Sequence, residues 1–315
     1  MRRIVALLVV PWLAVGVLAG CGSSPSGAAN AQVSVSGQYG HAPSVKFPAQ
    51  QASAKLSIET PIRGTGPQLQ AGDALLGNIA IYRWRGRSHE LLESTFAKGG
   101  PQLLPASIGL TGLEKALRGQ RMGTRVVAVL PPKYGYGAQG NSSIGIKGTD
   151  TTVWVVDMIQ LFKPSAAASG KNVSAGGGAL PKVTTGTGGA PDITIPAAQP
   201  PSKLTTKTLI QGNGAPLKTG QTVVAQVVGS NWRTKKVFYT TWPSTSSPTG
   251  ALFSFQLGGQ VIKGWNDALP GQHVGSRVML VVPPDEGYGS AGYASAGIKG
   301  HDTLVFVVDI LDAVS

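Results

Sequence analysis

Only one cysteine occurs in the 315 residues, at position 21. No disulfide can therefore close within the chain, and nothing downstream of Cys21 has a thiol for catalysis or metal binding. Histidine is scarce too: His41, His89, His273 and His301 stand far apart, none at metal-ligand spacing. Aromatic residues make up 6% of the chain, and 14 acidic residues face 27 basic ones, a net charge of +13. The basic residues are scattered and aromatics are few, which argues against nucleic acid. Attraction to anionic lipid headgroups or cell-wall polymers is the more economical reading of the charge. No nucleophile-elbow serine, phosphate loop or spaced carboxylate pair is found. The chain therefore carries none of the conventional catalytic motifs.

An apolar run long enough to span a bilayer is also missing. Met1-Arg2-Arg3 is a short basic head, and Ile4 to Val17 is apolar apart from Pro11 and Gly16. That run is shorter than the roughly 20 residues a membrane-crossing helix needs, and it ends in small residues, as a signal peptide does. Residues 1–20 are read as that signal peptide. Leu18-Ala19-Gly20-Cys21 resembles the bacterial lipobox, which makes Cys21 the expected site of lipidation by a fatty acyl group such as palmitate. Each buried methylene of an acyl chain adds about 0.8 kcal/mol of membrane affinity. The expected location is the cell membrane, lipid-anchored on its extracytoplasmic side.

What the chain has in abundance is glycine, 44 residues, and an internal repeat. Pro131-Pro132 recurs as Pro283-Pro284, Tyr136-Gly137 as Tyr288-Gly289, and Gly145-Ile146-Lys147-Gly148 as Gly297-Ile298-Lys299-Gly300. Gly112 recurs as Gly264, and Val155-Val156-Asp157 as Val307-Val308-Asp309, always 152 positions on. Chance does not hold one offset through five motifs, and two copies signify a duplicated globular domain. The copies are read as residues 52–163 and 203–315. Residues 21–51 and 164–202, rich in Gly, Ser and Ala, have little apolar periodicity and are read as a flexible tether and a disordered linker. Within each copy, runs such as Thr222 to Val228, Val278 to Val282 and Thr303 to Leu311 read as strands. One short helix is expected, at about Lys263 to Leu269, with Thr111 to Arg118 its counterpart. The fold class is α+β: an antiparallel sheet wrapped around a short helix, present twice.

Four blocks carry a resemblance to a family. They are Val261-Ile262-Lys263-Gly264-Trp265, Val274-Gly275-Ser276-Arg277, Pro283-Pro284-Asp285-Glu286-Gly287-Tyr288-Gly289 and Thr303-Leu304-Val305-Phe306. In this order they resemble the FKBP-type peptidyl-prolyl isomerases. The family's fold is the sheet-on-helix domain described, and it implies a mechanism without nucleophile, metal or cofactor. By this resemblance Trp265 forms the floor beneath a proline ring, and Tyr288 offers its hydroxyl. The backbone N–H of Ile298 would bind the carbonyl before the proline. Phe238, Tyr239, Phe253, Val261, Ile262 and Phe306 line the site. Tyr239 stands where the family usually has Asp, and Val227 where many members have Tyr. The first copy departs further: Leu113 replaces the floor Trp, Leu92 replaces a wall Phe, and no aromatic pair matches Phe253 and Phe255. It keeps Tyr136, Ile146 and Glu93. The expected function is a membrane-anchored prolyl isomerase, active mainly in its second domain on Xaa-Pro segments of exported polypeptides. The resemblance also implies macrolides as inhibitors. The alternative is a non-catalytic lipoprotein of the same fold that binds protein or extracytoplasmic ligands.

Overall fold

The structure, a computed structural model, describes residues 32–96, 99–105, 107–244, 250–259 and 261–315. Residues 1–31, and with them the signal segment and Cys21, lie outside the described residues. The first repeat opens with a hairpin, β1 (Ser34–Ser36) and β2 (Ser44–Lys46). Its sheet is built from β3 (Ser57–Ile62), β4 (Ala74–Arg85), β5 (Ser88–Ser94), β6 (Gln102–Leu104), helix α1 (Thr111–Leu117), β7 (Arg125–Leu130) and β8 (Thr151–Phe162). The second repeat follows the same plan. β9 (Gly170–Asn172) precedes a hairpin of β10 (Lys182–Thr185) and β11 (Pro191–Thr194). Then come β12 (Thr205–Gly212), β13 (Thr222–Asn231), β14 (Val237–Thr240), β15 (Phe253–Gln256), α2 (Lys263–Ala268), β16 (Arg277–Val282) and β17 (Leu304–Val314). Strand order is β3-β7-β8-β4-β5 in one sheet and β9-β12-β16-β17-β13-β14 in the other, with β6 beside β4 and β15 beside β13. Every pairing is antiparallel.

The helices pack on the inner face of each sheet. Val278, Leu280 and Val282 of β16 alternate inward with Phe306, Val308 and Ile310 of β17, against Trp265 and Leu269. Val126, Ala128 and Leu130 do the same around Leu113 and Leu117 in the first repeat. The outer faces are apolar as well. Met279, Val281, Val305 and Val307 are buried under Val183 and Ile195, and Val127, Val129, Val153 and Val155 under Val33.

This corrects two readings of the sequence. Residues 164–202 are not a disordered linker: β9 adds an edge strand to the second sheet, and the β10–β11 hairpin covers that sheet's outer face. The tether read over 21–51 is likewise ordered from residue 32, since the β1–β2 hairpin covers the first sheet. A buried ion pair adds to each attachment. Arg125 Nε and Nη2 donate to Asp157 at 2.6 and 2.8 Å, and Nη2 reaches the Gln38 and His41 carbonyls at 2.9 and 2.8 Å. Arg277 donates to Asp309 at 2.6 and 2.7 Å and to the Gly189 carbonyl at 3.0 Å. Buried charges persist only when paired and hydrogen-bonded, and the arms supply the carbonyls that complete these sites. No helix among the described residues is long and apolar enough to cross a membrane.

Candidate functional site

Between the sheet and the start of α2 in the second repeat lies an open cavity of about 440 Å³. Trp265, 4% exposed, forms its floor. The first turn of α2 sets this position, because Val261 and Ile262 lead the chain in and Gly264 packs against Val282 without room for a side chain. The Trp265 ring meets Phe306 and Phe255 at 5.2 Å and Phe253 at 6.0 Å between centroids, all steeply inclined. Phe238 stands edge-on to Phe306 at 5.8 Å, and Tyr239 edge-on to Phe253 at 6.2 Å. Such edge-to-face contacts hold aromatic walls in fixed orientation. Tyr288 closes the opposite side and stacks on Tyr293 at 5.2 Å.

Of the nine residues the sequence singled out for this site, eight line the cavity: Phe238, Tyr239, Phe253, Val261, Ile262, Trp265, Tyr288 and Phe306. Ile298 does not. Its side chain is buried in the core, and its N–H donates to the Tyr293 carbonyl at 3.1 Å while the Tyr293 N–H returns a bond at 2.8 Å. That pair closes the turn through Gly297 and leaves no amide for a ligand, so the carbonyl-binding role read for Ile298 is corrected. The loop is held tightly elsewhere too: a side chain at Gly300 would come within 1.9 Å of the Ser290 carbonyl oxygen. At the cavity's edge the unused amide is that of Ile262, which has no hydrogen-bond partner among the described residues. The Tyr288 hydroxyl is similarly unpaired among them. Val227, Tyr293 and Ala296 complete the lining; the sequence marked Val227 only as a departure from the family pattern, and Tyr293 and Ala296 were not found in it. Their signal was slight, since both sit in a glycine-rich loop that reads as a turn.

No lining residue is a carboxylate or a cation. Burial, with a smaller contribution from Tyr293, raises the Tyr288 phenol above its ordinary value. Burial raises Tyr239 as well, with help from Tyr288. Both phenols are neutral donors at physiological pH. The ion pairs of Lys263 with Asp267 and Glu286 lie on the exposed side of α2. Among the described residues no three His, Cys, Asp or Glu side chains gather as a metal site.

The first repeat differs at the corresponding place. Strand pairing sets Ile81 opposite Trp154 and Glu93, as Gly229 is opposite Phe306 and Tyr239. Gln102 takes the place of Phe253, and its amide donates to Glu93 at 2.7 Å, so a polar pair replaces the Tyr239–Phe253 contact. Leu113, fully buried, replaces the Trp265 floor.

An antiparallel sheet curled on one short helix, with an aromatic cavity at the helix start, defines an FKBP-like domain. The sequence model of the FKBP-type peptidyl-prolyl cis-trans isomerases matches residues 214–311, within the second repeat. An FK506-binding protein of Streptomyces anulatus is 35% identical over 122 residues, 38% of this chain and 94% of that protein. A probable FK506-binding protein of Corynebacterium glutamicum is 33% identical over 123 residues, covering 39% and 98%. A Vicia faba peptidyl-prolyl cis-trans isomerase, FKBP12, is 32% identical over 105 residues, covering 32% and 90%. The chain belongs to the FKBP-type peptidyl-prolyl cis-trans isomerase family.

Proposed function

We propose that the protein is a membrane-anchored prolyl isomerase for exported polypeptides, with its activity in the second repeat and its anchor at Cys21. The observation that carries this is the cavity itself: lined by aromatic and aliphatic side chains, open to solvent, free of charged groups, with two unspent donors at its edge. Rotating a prolyl amide crosses a barrier of about 18–20 kcal/mol set by amide resonance. The catalyst has only to bind the twisted amide better than the planar one. An apolar cavity favours the twisted form, because the planar amide is the more polar and loses more on leaving water. The Ile262 N–H and the Tyr288 hydroxyl are the groups placed to hold the carbonyls flanking the rotating bond. Trp265 and Phe306 offer the surface against which the proline ring packs. The relatives are named for FK506, and the same apolar cavity is suited to such a macrolide.

The test is an isomerase assay of the full chain on Xaa-Pro peptides, with Tyr288→Phe set against Tyr136→Phe. Removing one hydrogen-bonding hydroxyl costs on the order of 1 kcal/mol, so Tyr288→Phe should lower kcat/KM roughly fivefold. Tyr136→Phe, over the Leu113 floor, should leave the rate unchanged. Equal losses from the two variants would move the activity into both repeats, and a wild-type chain without acceleration would end the isomerase reading. The rival, a protein-binding lipoprotein, has one feature in its favour: Tyr239 replaces a carboxylate usual in the family the chain resembles. It requires peptide binding without acceleration. The anchor is tested separately. Cys21→Ala should release the protein from the membrane fraction or leave an uncleaved precursor. A variant processed and membrane-bound like the wild type would refute the lipid anchor.

A further inference from the structure

The geometry points to Gly229 as the residue that decides whether the cavity is open, by leaving vacant the space in which the Phe238 and Phe306 rings are seated. This rests on the isomerase reading and names a positioning residue within that site. Gly229 lies in β13, directly opposite Phe306 of β17 and Tyr239 of β14. A methyl group at its Cα would stand 2.8 Å from Phe238 Cζ and 3.1 Å from Phe306 Cε1. The three nearest atoms all belong to these two rings, the third being Phe238 Cε2 at 3.1 Å, so what glycine spares first is the two aromatic walls.

The backbone does not need glycine. Gly229 lies outside the positive-φ region, so a side chain is compatible with its conformation. The pairing of β13 with β14 shifts register between Gly229 and Ser230, yet a bulge that demands glycine would place it left-handed, and this one does not. Glycine inside a strand ordinarily weakens it. Its presence here is therefore explained by the side chains it admits.

The first repeat shows the other choice. Ile81 occupies the equivalent position, 3% exposed, opposite the larger Trp154. There a branched side chain stands where the second repeat has none, and Leu92 has replaced Phe238.

The experiment compares the wild-type full chain with Gly229→Ala and Gly229→Ile by three readouts. These are isomerase rate on a Leu-Pro peptide, the shift of the Trp265 indole N–H resonance on adding that peptide, and Tm. Gly229→Ala should lower kcat/KM about tenfold and Gly229→Ile about a hundredfold or more. The peptide-induced Trp265 shift should fall in the same order, while Tm drops by no more than the few degrees that overpacking costs. A loss of Tm parallel to the loss of rate in both variants would make Gly229 merely structural and overturn the inference. An active wild type alongside a folded Gly229→Ile variant that keeps its rate and its Trp265 shift within about twofold overturns it alone. If Gly229→Ile fails to fold, Gly229→Ala decides by the same twofold criterion. If the wild type binds peptide without accelerating it, the isomerase reading fails and the Trp265 shift alone tests Gly229. A wild type with neither activity nor a Trp265 shift overturns both.

Discussion

Asp302 is 3% exposed at the foot of the loop that carries Tyr293 and Ile298. Its carboxylate accepts from Arg233 Nε at 2.6 Å, Arg233 Nη2 at 3.0 Å, Asn231 Nδ2 at 2.7 Å and the Lys299 N–H at 2.9 Å. The Arg233 hydrogen bond is the largest cause that holds this carboxyl well below the usual range, and it outweighs burial, which acts the other way. A group with a depressed folded-state pKa lends stability above the ordinary carboxylate range, about pH 4, and that stability is lost as pH falls through the folded value. Asp302→Asn should therefore cost about 1.5–3 kcal/mol at pH 7, the worth of hydrogen bonds to a charged group. The Tm gap between wild type and variant should narrow as pH falls below about 4. A gap constant from pH 7 to pH 2 would contradict the assignment. Asp150, lowered by Arg85, repeats the device in the first copy, so part of the acid sensitivity will survive the substitution. At this scale the sequence was informative wherever residue type carries the chemistry. Phe238, Phe253, Trp265, Tyr288 and Phe306 could be found by their order along the chain. Ile298 was misassigned because a free amide and a spent one look the same in a sequence. Gly229 was one of 44 glycines, and the space under an aromatic ring has no letter.

For the elements, both helices and the second-copy strands β13, β16 and β17 followed from apolar runs and their punctuation, to within a few residues. The arms did not, because composition overrode pattern. Gly- and Ser-rich stretches were judged too poor to bury a face, and each alone is. What they needed was a ready-made apolar surface, and that surface was written in the strands. Val126 to Leu130 and Val278 to Val282 have no polar residue at alternate positions, whereas a strand with one wet face alternates. An unbroken apolar strand in an antiparallel sheet with one short helix demands a second cover. Val33, Val45, Val183 and Ile195 provide the beginnings of it. The repeat offset extends into the arms: Gly37 and Gly189, 152 residues apart, both accept from the buried arginine of their own sheet. The offset therefore takes in the arm together with the sheet and helix, more than the part the family model matches.

In the whole molecule the repeats are not beads on a string. β8 ends at Phe162, and within six residues the chain is bonded to the second sheet, Gln226 Nε2 donating to the Pro164 carbonyl and the Ala168 N–H donating to Asp309. Leu76, Phe162 and Val224 are buried together, flanked by Leu103 from the first repeat and Leu252, Leu311 and Val314 from the second. A cavity of about 250 Å³ remains at this seam, lined by Ala74, Leu103 and Phe162 on one side and Leu252 on the other. Apolar contact across the seam means that unfolding one repeat exposes surface on the other, which couples their stabilities. The sequence offered no hint of this, since Phe162 and Val224 read equally well as strand residues of their own sheets. Calorimetry of the wild-type chain should show one transition. Phe162→Ala removes the largest side chain of the buried cluster at a cost of about 3–5 kcal/mol. Much of that loss falls on the seam, so the transition should both drop in temperature and divide in two. Val126→Ala, a change of similar kind deep within the first sheet and away from the seam, should lower the transition without dividing it. Two well-separated transitions in the wild type, or a Phe162→Ala trace that only shifts as Val126→Ala does, would show the repeats to be energetically independent despite their contact.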